Sequence, residues 1–457
     1  MYMNNNTKYL VKCKHKYTLL FKRTGFMFFS KKIKRAVISL VALISLVSCG
    51  ATFSAPVKAD VANYQTDQVK LNVKSAIAID SNSGQVLYAK NADKTLPIAS
   101  MTKLMTVYLT LNAIKNQKLA WDQKVKPTAS IVKVANNAEY SNVPLKMGHS
   151  YTIKQLYQAT LIESANGAAM LLGQTIAGSQ KAFIDQMRSQ VKKWGIKDAK
   201  IYTACGLPNG NVGKDAYPGV NKNAENSMSA KDMAIVGQNL IQDFPEVLDT
   251  TKLAHLDFKD QGHTTKMANF NWMLKGLSQY DQAYPVDGLK TGTTDAAGAC
   301  FIGTVNHAGA RLITVVMGAR HKDGTDPARF MQTKKLMNYV FTKYRPVTFN
   351  AGSQMAGVKN IKVTDGDNAT TNLGLKEKTT IWDPADGKTL VAKLNKQTIE
   401  APITKGQVVG NYQFKSGNEK IVSLSNPNGM NVKAKALAAN GKVNFFVRIW
   451  RMLFGGR

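Results

Sequence analysis

The sequence predicts an α+β protein: an antiparallel sheet with helices packed on it, followed by a small all-β domain and a C-terminal amphipathic helix. Three observations carry this reading. Lys74 to Ala89 reads as strand, turn, strand, with isoleucine at every second place in Ser75-Ala76-Ile77-Ala78-Ile79-Asp80 and turn chemistry in Ser81-Asn82-Ser83-Gly84. Gly288 to Ala319 holds three more strands, among them the β-branched run Leu312-Ile313-Thr314-Val315-Val316-Met317 bordered by Gly318. Helical patterns lie between the two strand-rich stretches, the order expected when helices cover a sheet.

Taken in order, residues 1–59 read as an export signal with an N-terminal extension. Lys31-Lys32-Ile33-Lys34-Arg35 is a basic n-region and Ala36 to Val47 an apolar h-region too short to span a bilayer. Val57-Lys58-Ala59 offers a cleavage site before Asp60. Leu46-Val47-Ser48-Cys49 is the alternative, a lipoprotein box that would lipidate Cys49, and Met27 is an alternative start. The hairpin at 74–89 then feeds an apolar run after Ser100. Thr152 to Ile176 is helical, interrupted by Ser164-Ala165-Asn166-Gly167, a turn formula. Ala230 to Ile241 is a helix with Ser229 as N-cap, Leu253 to Phe258 a strand, and Pro327 to about Tyr344 a closing helix. Arg345-Pro346 marks a boundary. Beyond it, Ile361-Lys362-Val363, Thr379-Thr380-Ile381-Trp382 and Leu390-Val391-Ala392 alternate between Gly, Asn and Asp turns, so 346–436 reads as the all-β domain. Residues 437–457 read as a linker and a helix with Val443, Phe446, Ile449, Trp450 and Leu453 on one side, suited to lie on an anionic membrane surface through 443–457.

The net charge of +32 falls partly on the leader, where eleven Lys or Arg meet no Asp or Glu, leaving +21 on the remainder. The positive charges are scattered, with no basic run interleaved with aromatics, so no nucleic-acid partner is expected; an anionic wall polymer or lipid suits them better. Among six histidines the closest pair, His255 and His263, is eight residues apart with no H-E-x-x-H, and neither metal nor cofactor is expected. Cys205 and Cys300 remain after the leader, either paired or as buried thiols.

Chemistry concentrates in three stretches. In Ser100-Met101-Thr102-Lys103 a hydroxyl and an amine stand at i and i+3, one face of a helix. A serine alcohol needs its proton taken, and a lysine with a pKa lowered by burial or cationic neighbours takes it. Ser164-Ala165-Asn166 follows 64 residues later, and Lys290-Thr291-Gly292-Thr293 a further 126 residues on. On an edge strand, Lys290 offers a charge to a substrate carboxylate, Thr291 adds a hydroxyl, and Gly292 clears space for an extended ligand.

The order Ser-x-x-Lys, Ser-x-Asn, Lys-Thr-Gly resembles that of the penicillin-interacting serine enzymes. Residues 97–103 and 287–292, Ala297-Gly298 with Cys300, and Ala401-Pro402-Ile403 with Gly406-Gln407-Val408-Val409-Gly410 resemble the serine-type D-alanyl-D-alanine carboxypeptidases, the low-molecular-mass penicillin-binding proteins. The resemblance covers about residues 70–457 and implies a β-lactamase/transpeptidase-like catalytic domain at 60–345, with an all-helical subdomain beside the sheet. It implies that Ser100 attacks the penultimate carbonyl of a peptidoglycan stem pentapeptide ending in D-Ala-D-Ala, with Lys103 as base. Ser164 and Asn166 would relay the proton and position Lys103, and backbone N–H groups of Ser100 and Thr293 would form the oxyanion hole. Lys290, Thr291 and Thr293 would hold the free carboxylate, and β-lactams would acylate the same serine. Two departures stand out: Ala165 where the family often has Gly, and Phe270 where an arginine is expected.

Four rival readings meet obstacles or overlaps in the sequence. A class A β-lactamase needs a glutamate downstream of Ser-x-Asn to activate the deacylating water, and residues 195–215 have none. A transpeptidase or endopeptidase shares the acylation step and differs in acceptor or substrate. A zinc peptidase lacks its ligands here. A silent wall-binding protein would show damaged motifs, and all three are intact. Glu163 reads as a solvated or capping carboxylate.

Overall fold

The computed structural model describes residues 69–454. The export segment, with Cys13, Cys49 and the Ala59 site, and the last three residues of the tail lie outside the described residues. The hairpin β1 (Ser75–Asp80) and β2 (Val86–Lys90) leads through a 3-10 turn, Ala99–Thr102, into helix α1 (Lys103–Lys115). Helices α2 (Ala129–Ala135), α3 (Ile153–Leu161), α4 (Asn166–Ala177) and α5 (Gln180–Lys193) follow, then α6 (Ala230–Asp243) and α7 (Val247–Thr251). A second hairpin, β3 (His255–Asp260) and β4 (His263–Ala268), precedes the meander β5 (Val286–Thr294), β6 (Gly298–His307) and β7 (Ala310–Ala319), closed by α8 (Ala328–Lys343). The strand expected from Leu253 begins two residues later, because the turn at Gln261-Gly262 sets the pairing of His255 with Ala268.

The central sheet is antiparallel, in the order β2-β1-β7-β6-β5. Both of its faces are covered, so period-two alternation sorts residues between two cores rather than between core and water. Ile77, Ile79, Ile302, Ile313, Val315 and Met317 pack toward α1 and α6. Ala76, Ala78, Phe301, Leu312 and Val316 pack toward Phe330, Leu336, Met337 and Val340 of α8. Each fully buried aliphatic of this set stabilises the fold by roughly 1.5–3 kcal/mol against an exposed one. A third core, with Ile131, Leu156, Val143 and Leu171, holds α2, α3 and α4 together as a helical lobe beside the sheet. Capping boxes start α3 (Thr152 with Gln155) and α6 (Ser229 with Asp232), so Ser229 is the N-cap that its sequence predicts.

Strand β8 (Tyr344–Phe349) continues from α8 without a linker: Arg345 and Pro346 pair with Asp383 and Trp382. The β domain adds β9 (Asn360–Thr364), β10 (Thr370–Leu375), β11 (Thr379–Pro384), β12 (Leu390–Leu394), β13 (Thr398–Glu400), β14 (Val408–Ser416) and β15 (Asn431–Ala436) around Ile361, Leu373, Ile381, Tyr412 and Phe414. It is stitched to the sheet edge at β2. Val86 N–H donates to the Val422 carbonyl (2.9 Å), Leu424 N–H to the Gly84 carbonyl (2.9 Å), and Trp382, fully buried, donates its indole N–H to Asp80 (2.9 Å). Gln85 clamps the Trp382 backbone from both sides, accepting its N–H at 2.9 Å and donating to its carbonyl at 2.7 Å.

Residues 437–441, read from the sequence as a linker, dock on this domain through Asn440, whose side chain donates to the carbonyls of Asn368 and Thr370. Helix α9 (Phe445–Phe454) then rests on it through its arginines: Arg448 pairs with Asp365 (2.7 Å) and Arg451 donates to the Gly366 carbonyl (2.9 Å). Phe446, Trp450, Met452 and Leu453 point away, all more than 60% exposed. Among the described residues no helix is long and apolar enough to cross a membrane.

Candidate active site

The nucleophile stretch forms as a 3-10 turn running into α1. In that tighter helix residues i and i+3 eclipse, which sets Ser100 directly against Lys103. The Lys103 ammonium lies 2.7 Å from Ser100 Oγ and donates to Asn166 Oδ1 (2.8 Å) and to the Cys205 carbonyl (2.8 Å). Lys103 is fully buried, and removal from water brings its pKa from 10.5 down to about 8, a negative potential at Cys205 opposing the fall. The turn is held from below by the loop carrying Cys205. Gly206 of that loop has φ +88° and approaches the Ala99 carbonyl so closely that a Cβ would overlap it.

Ser164 and Asn166 stand where α3 gives way to α4, a tight turn as their sequence predicts. Ser164 takes φ +56°, and Asn166 opens α4. Asn166 is oriented by the Ser141 carbonyl, to which both its backbone N–H and its side-chain amide donate at 3.0 Å, leaving Oδ1 for Lys103. Ala165 sits at φ −60°, ψ 116°, a conformation open to any L residue, so the absence of a glycine there costs nothing.

The third motif lies on β5, the sheet edge opposite the β domain. Lys290 is buried, its pKa pushed well below 10.5 by burial and by the charges of Lys103 and Arg329. Thr291 is buried, while Thr293 is exposed at the strand's end. Gly292 has a packing reason that its sequence does not announce. A Cβ there would come within 2.7 Å of the Ile98 carbonyl, so the glycine lets the strand touch the nucleophile turn.

Several residues join the site without belonging to any of the three motifs. Arg329 of α8 is buried, donating to the carbonyls of Gly292 (2.9 Å) and Cys300 (3.1 Å) and to Thr293 Oγ1 (2.7 Å). Its signal was there: it falls on the buried stripe shared with Thr333, Leu336, Met337 and Val340, where an arginine needs a reason. Phe270, in the place where an arginine was expected, is 38% exposed. Asn226 ties the nucleophile turn to the loop at residues 202–203. Its side chain donates to Thr102 Oγ1 (3.0 Å) and the Thr203 carbonyl (2.8 Å), and accepts from the N–H groups of Tyr202 and Thr203. Its neighbour Glu225 accepts from Thr294 Oγ1 at 2.6 Å. Glu163 accepts from the Ala268 N–H (3.0 Å), a structural tie, with its pKa raised by burial. Cys205 and Cys300 are both buried and free.

Comparison with known proteins places the whole chain in a family. Residues 62–321 match the D-alanyl-D-alanine carboxypeptidase family (peptidase S11), and residues 347–440 match the C-terminal domain of penicillin-binding protein 5. The D-alanyl-D-alanine carboxypeptidase DacC of Escherichia coli is 31% identical over 397 residues, covering 85% of this chain and 89% of that one. The crystal structure of PBP3 from Streptococcus pneumoniae, described as a peptidoglycan synthesis regulatory factor, is similar at TM-score 0.68 and 34% identity, over 81% of this chain and 100% of that one. Penicillin binding protein 5 from Haemophilus influenzae shares the fold at TM-score 0.64 and 24% identity, over 82% of this chain and 99% of that one. With the first match spanning more than half of its length, the chain belongs to the D-alanyl-D-alanine carboxypeptidase family of serine peptidases, the low-molecular-mass penicillin-binding proteins.

Proposed function

We propose that this serine-type carboxypeptidase removes the terminal D-alanine from peptidoglycan stem pentapeptides through an acyl-enzyme on Ser100, and that penicillin arrests it at that stage. Neutral Lys103 takes the Ser100 proton as Oγ attacks the penultimate carbonyl. Backbone N–H groups of Ser100 and Thr293 would receive the oxyanion, and the proton returns to the leaving D-Ala amine by way of Ser164. Water then hydrolyses the ester by the same base. Lys290, Thr291 and Thr293, the last oriented by Arg329, would hold the free carboxylate, while Gly292 keeps the strand against the nucleophile. The observation that carries this reading is the fully buried Lys103, its amine 2.7 Å from Ser100 Oγ and its pKa brought to about 8.

The working place we infer is the outer face of the cytoplasmic membrane, where the enzyme would trim wall precursors and limit cross-linking. The signal-like residues 1–59 support export, and the outward apolar face of α9 supports contact with an anionic membrane surface. The mature full chain, given a D-Ala-D-Ala pentapeptide and penicillin, is expected to release D-alanine and to carry a long-lived adduct, read by mass, at Ser100. Ser100→Ala loses both. Fast penicillin turnover without D-alanine release overturns the reading in favour of a β-lactamase. Transfer of the acyl group to an added amine in preference to water favours a transpeptidase.

A further inference from the structure

A cleft of about 750 Å³ opens on the side of α6, between the β1–β2 turn, the turn that follows α5 and the β-domain residues Leu424 and Ser425. None of the residues of the three motifs lines it. Its floor is the solvent-facing stripe of α6, Lys231, Ile235, Gln238, Asn239 and Gln242, spaced one helical face apart. Three of these five are amides, and each has its NH2 group tied to backbone. Gln238 donates to the Ser81 carbonyl (3.1 Å), Gln242 to the carbonyls of Ser81 (2.8 Å) and Asn82 (3.1 Å), and Asn239 to the Ile235 carbonyl (2.8 Å). Fixing the NH2 end of an amide leaves its oxygen as an oriented acceptor. The floor is therefore a row of preset acceptors, with Ile235 and the half-buried Trp194 as apolar surface.

Charge narrows the ligand class. In a chain of net charge +32, this cleft is close to balanced: Lys231 pairs with Asp93 (3.0 Å), and Asp198 and Asp232 offset Lys197. A polyanion would gain little here and would meet carboxylates. A neutral molecule rich in hydroxyl and amide N–H donors, with apolar faces between them, fits both the acceptor row and the tryptophan. The volume lies in the range of small-molecule sites. We propose that this cleft is a saccharide site that takes the amino-sugar chain bearing the stem peptides, so that the enzyme grips the polymer at a distance from Ser100. The identity of the polymer rests on the carboxypeptidase reading; the recognition of a neutral N-acetylated saccharide rests on the cleft.

The test uses the full mature chain as Ser100→Ala, titrated calorimetrically with the tetrasaccharide of β-1,4-linked N-acetylglucosamine. Binding with a dissociation constant at or below about 1 mM is expected. The double variant Asn239→Ala/Gln242→Ala should weaken it at least about tenfold, and Ile235→Trp, which sets an indole across the middle of the floor, should weaken it by at least as much. Ile235→Trp in the otherwise unaltered chain should slow D-alanine release from glycan-borne pentapeptide about fivefold and leave release from free pentapeptide unchanged, with melting temperature as the check on folding. Absence of binding at 5–10 times that concentration (about 5–10 mM), equal affinity in the variants, or equal losses on both substrates overturns the proposal. Failure of the unaltered chain to act on the free pentapeptide would instead count against the carboxypeptidase reading, and the titration would still decide the cleft.

Discussion

Lys103 satisfies three oxygens at once, and the price of burying it is a proton held loosely. Its ammonium touches Ser100, Asn166 and the Cys205 carbonyl, with desolvation dominating its pKa. Lowering the pKa to about 8 raises the share of neutral amine at neutral pH, the form able to accept the Ser100 proton. With Lys103 as the proposed base, acylation needs it deprotonated, so kcat/KM should climb as pH rises toward about 8. In the proposed mechanism Lys290 works in the opposite sense, because the charge that would hold the substrate carboxylate is lost as pH rises. A bell is therefore expected for D-alanine release, with the alkaline limb appearing as a rise in KM. Stopped-flow acylation across pH 5.5–9.5 (about four decades of proton activity around that pKa) checks it, and Lys103→Arg, which cannot deprotonate, should cut acylation at least about a thousandfold.

Among the elements, β5 and the 3-10 turn form the joint on which the site depends. Gly292 permits their contact, with the Ile98 carbonyl 2.7 Å from where a Cβ would stand. Gly292→Ala must push the strand and the turn apart, at an overpacking cost of about 1–3 kcal/mol. The expected result is a chain that still folds, melts a few degrees lower, and is acylated by penicillin at least tenfold more slowly (about 1.4 kcal/mol or more in the barrier). Unchanged acylation would mean that the joint does not set the distance between Ser100 and Lys290. Helix α9 poses a separate question at the same scale. Its arginines face Asp365 and Gly366 while its aromatic and aliphatic side chains stand in solvent. Sedimentation with anionic phospholipid vesicles should carry the full chain down and leave a chain ending at Asn444 in the supernatant; raising salt should weaken the binding only in part, since apolar burial contributes beside charge.

On the scale of the whole molecule, the two edges of the central sheet have opposite fates. The β2 edge is covered by the β domain through residues 422–424 and the Trp382 clamp, and β5 is the edge that carries the site. Covering one edge removes a surface open to unwanted strand pairing and leaves the other for an extended peptide. Since α8 runs directly into β8, the β domain is coupled to the element that presents Arg329 to Thr293. Trp382→Ala should cost about 3–5 kcal/mol, as large aromatic truncations in cores do. Scanning calorimetry should then resolve two transitions in place of one, and limited proteolysis should cut near Tyr344–Phe349. A single transition at an unchanged temperature would show that the clamp does not couple the domains.

How much of this was legible in the chain follows from what each feature is made of. Strands β1, β2, β5, β6 and β7, helices α3, α4, α6 and α8, the domain order and the three motifs could be read because apolar periodicity and short-range spacing are local properties of sequence. Ser100 and Lys103 meet within one turn, so their encounter needed only local geometry. The docking of residues 437–441 was not legible because Asn440 finds its partners in Asn368 and Thr370, some seventy residues away. The reason for Gly292 was hidden likewise, since the carbonyl that it accommodates comes from Ile98. Arg329, Asn226 and the carbonyls of Ser141 and Cys205 join the site from four separate segments, and a backbone carbonyl carries no signature in sequence at all. The sequence by itself determined the periodicities, the turn chemistry and the reactive pair, all of which are settled by neighbours in the chain. Only the tertiary structure decided which distant oxygens desolvate and orient Lys103, which sheet edge stays open, and which face of α6 lines a cleft, because those depend on packing between segments far apart in sequence.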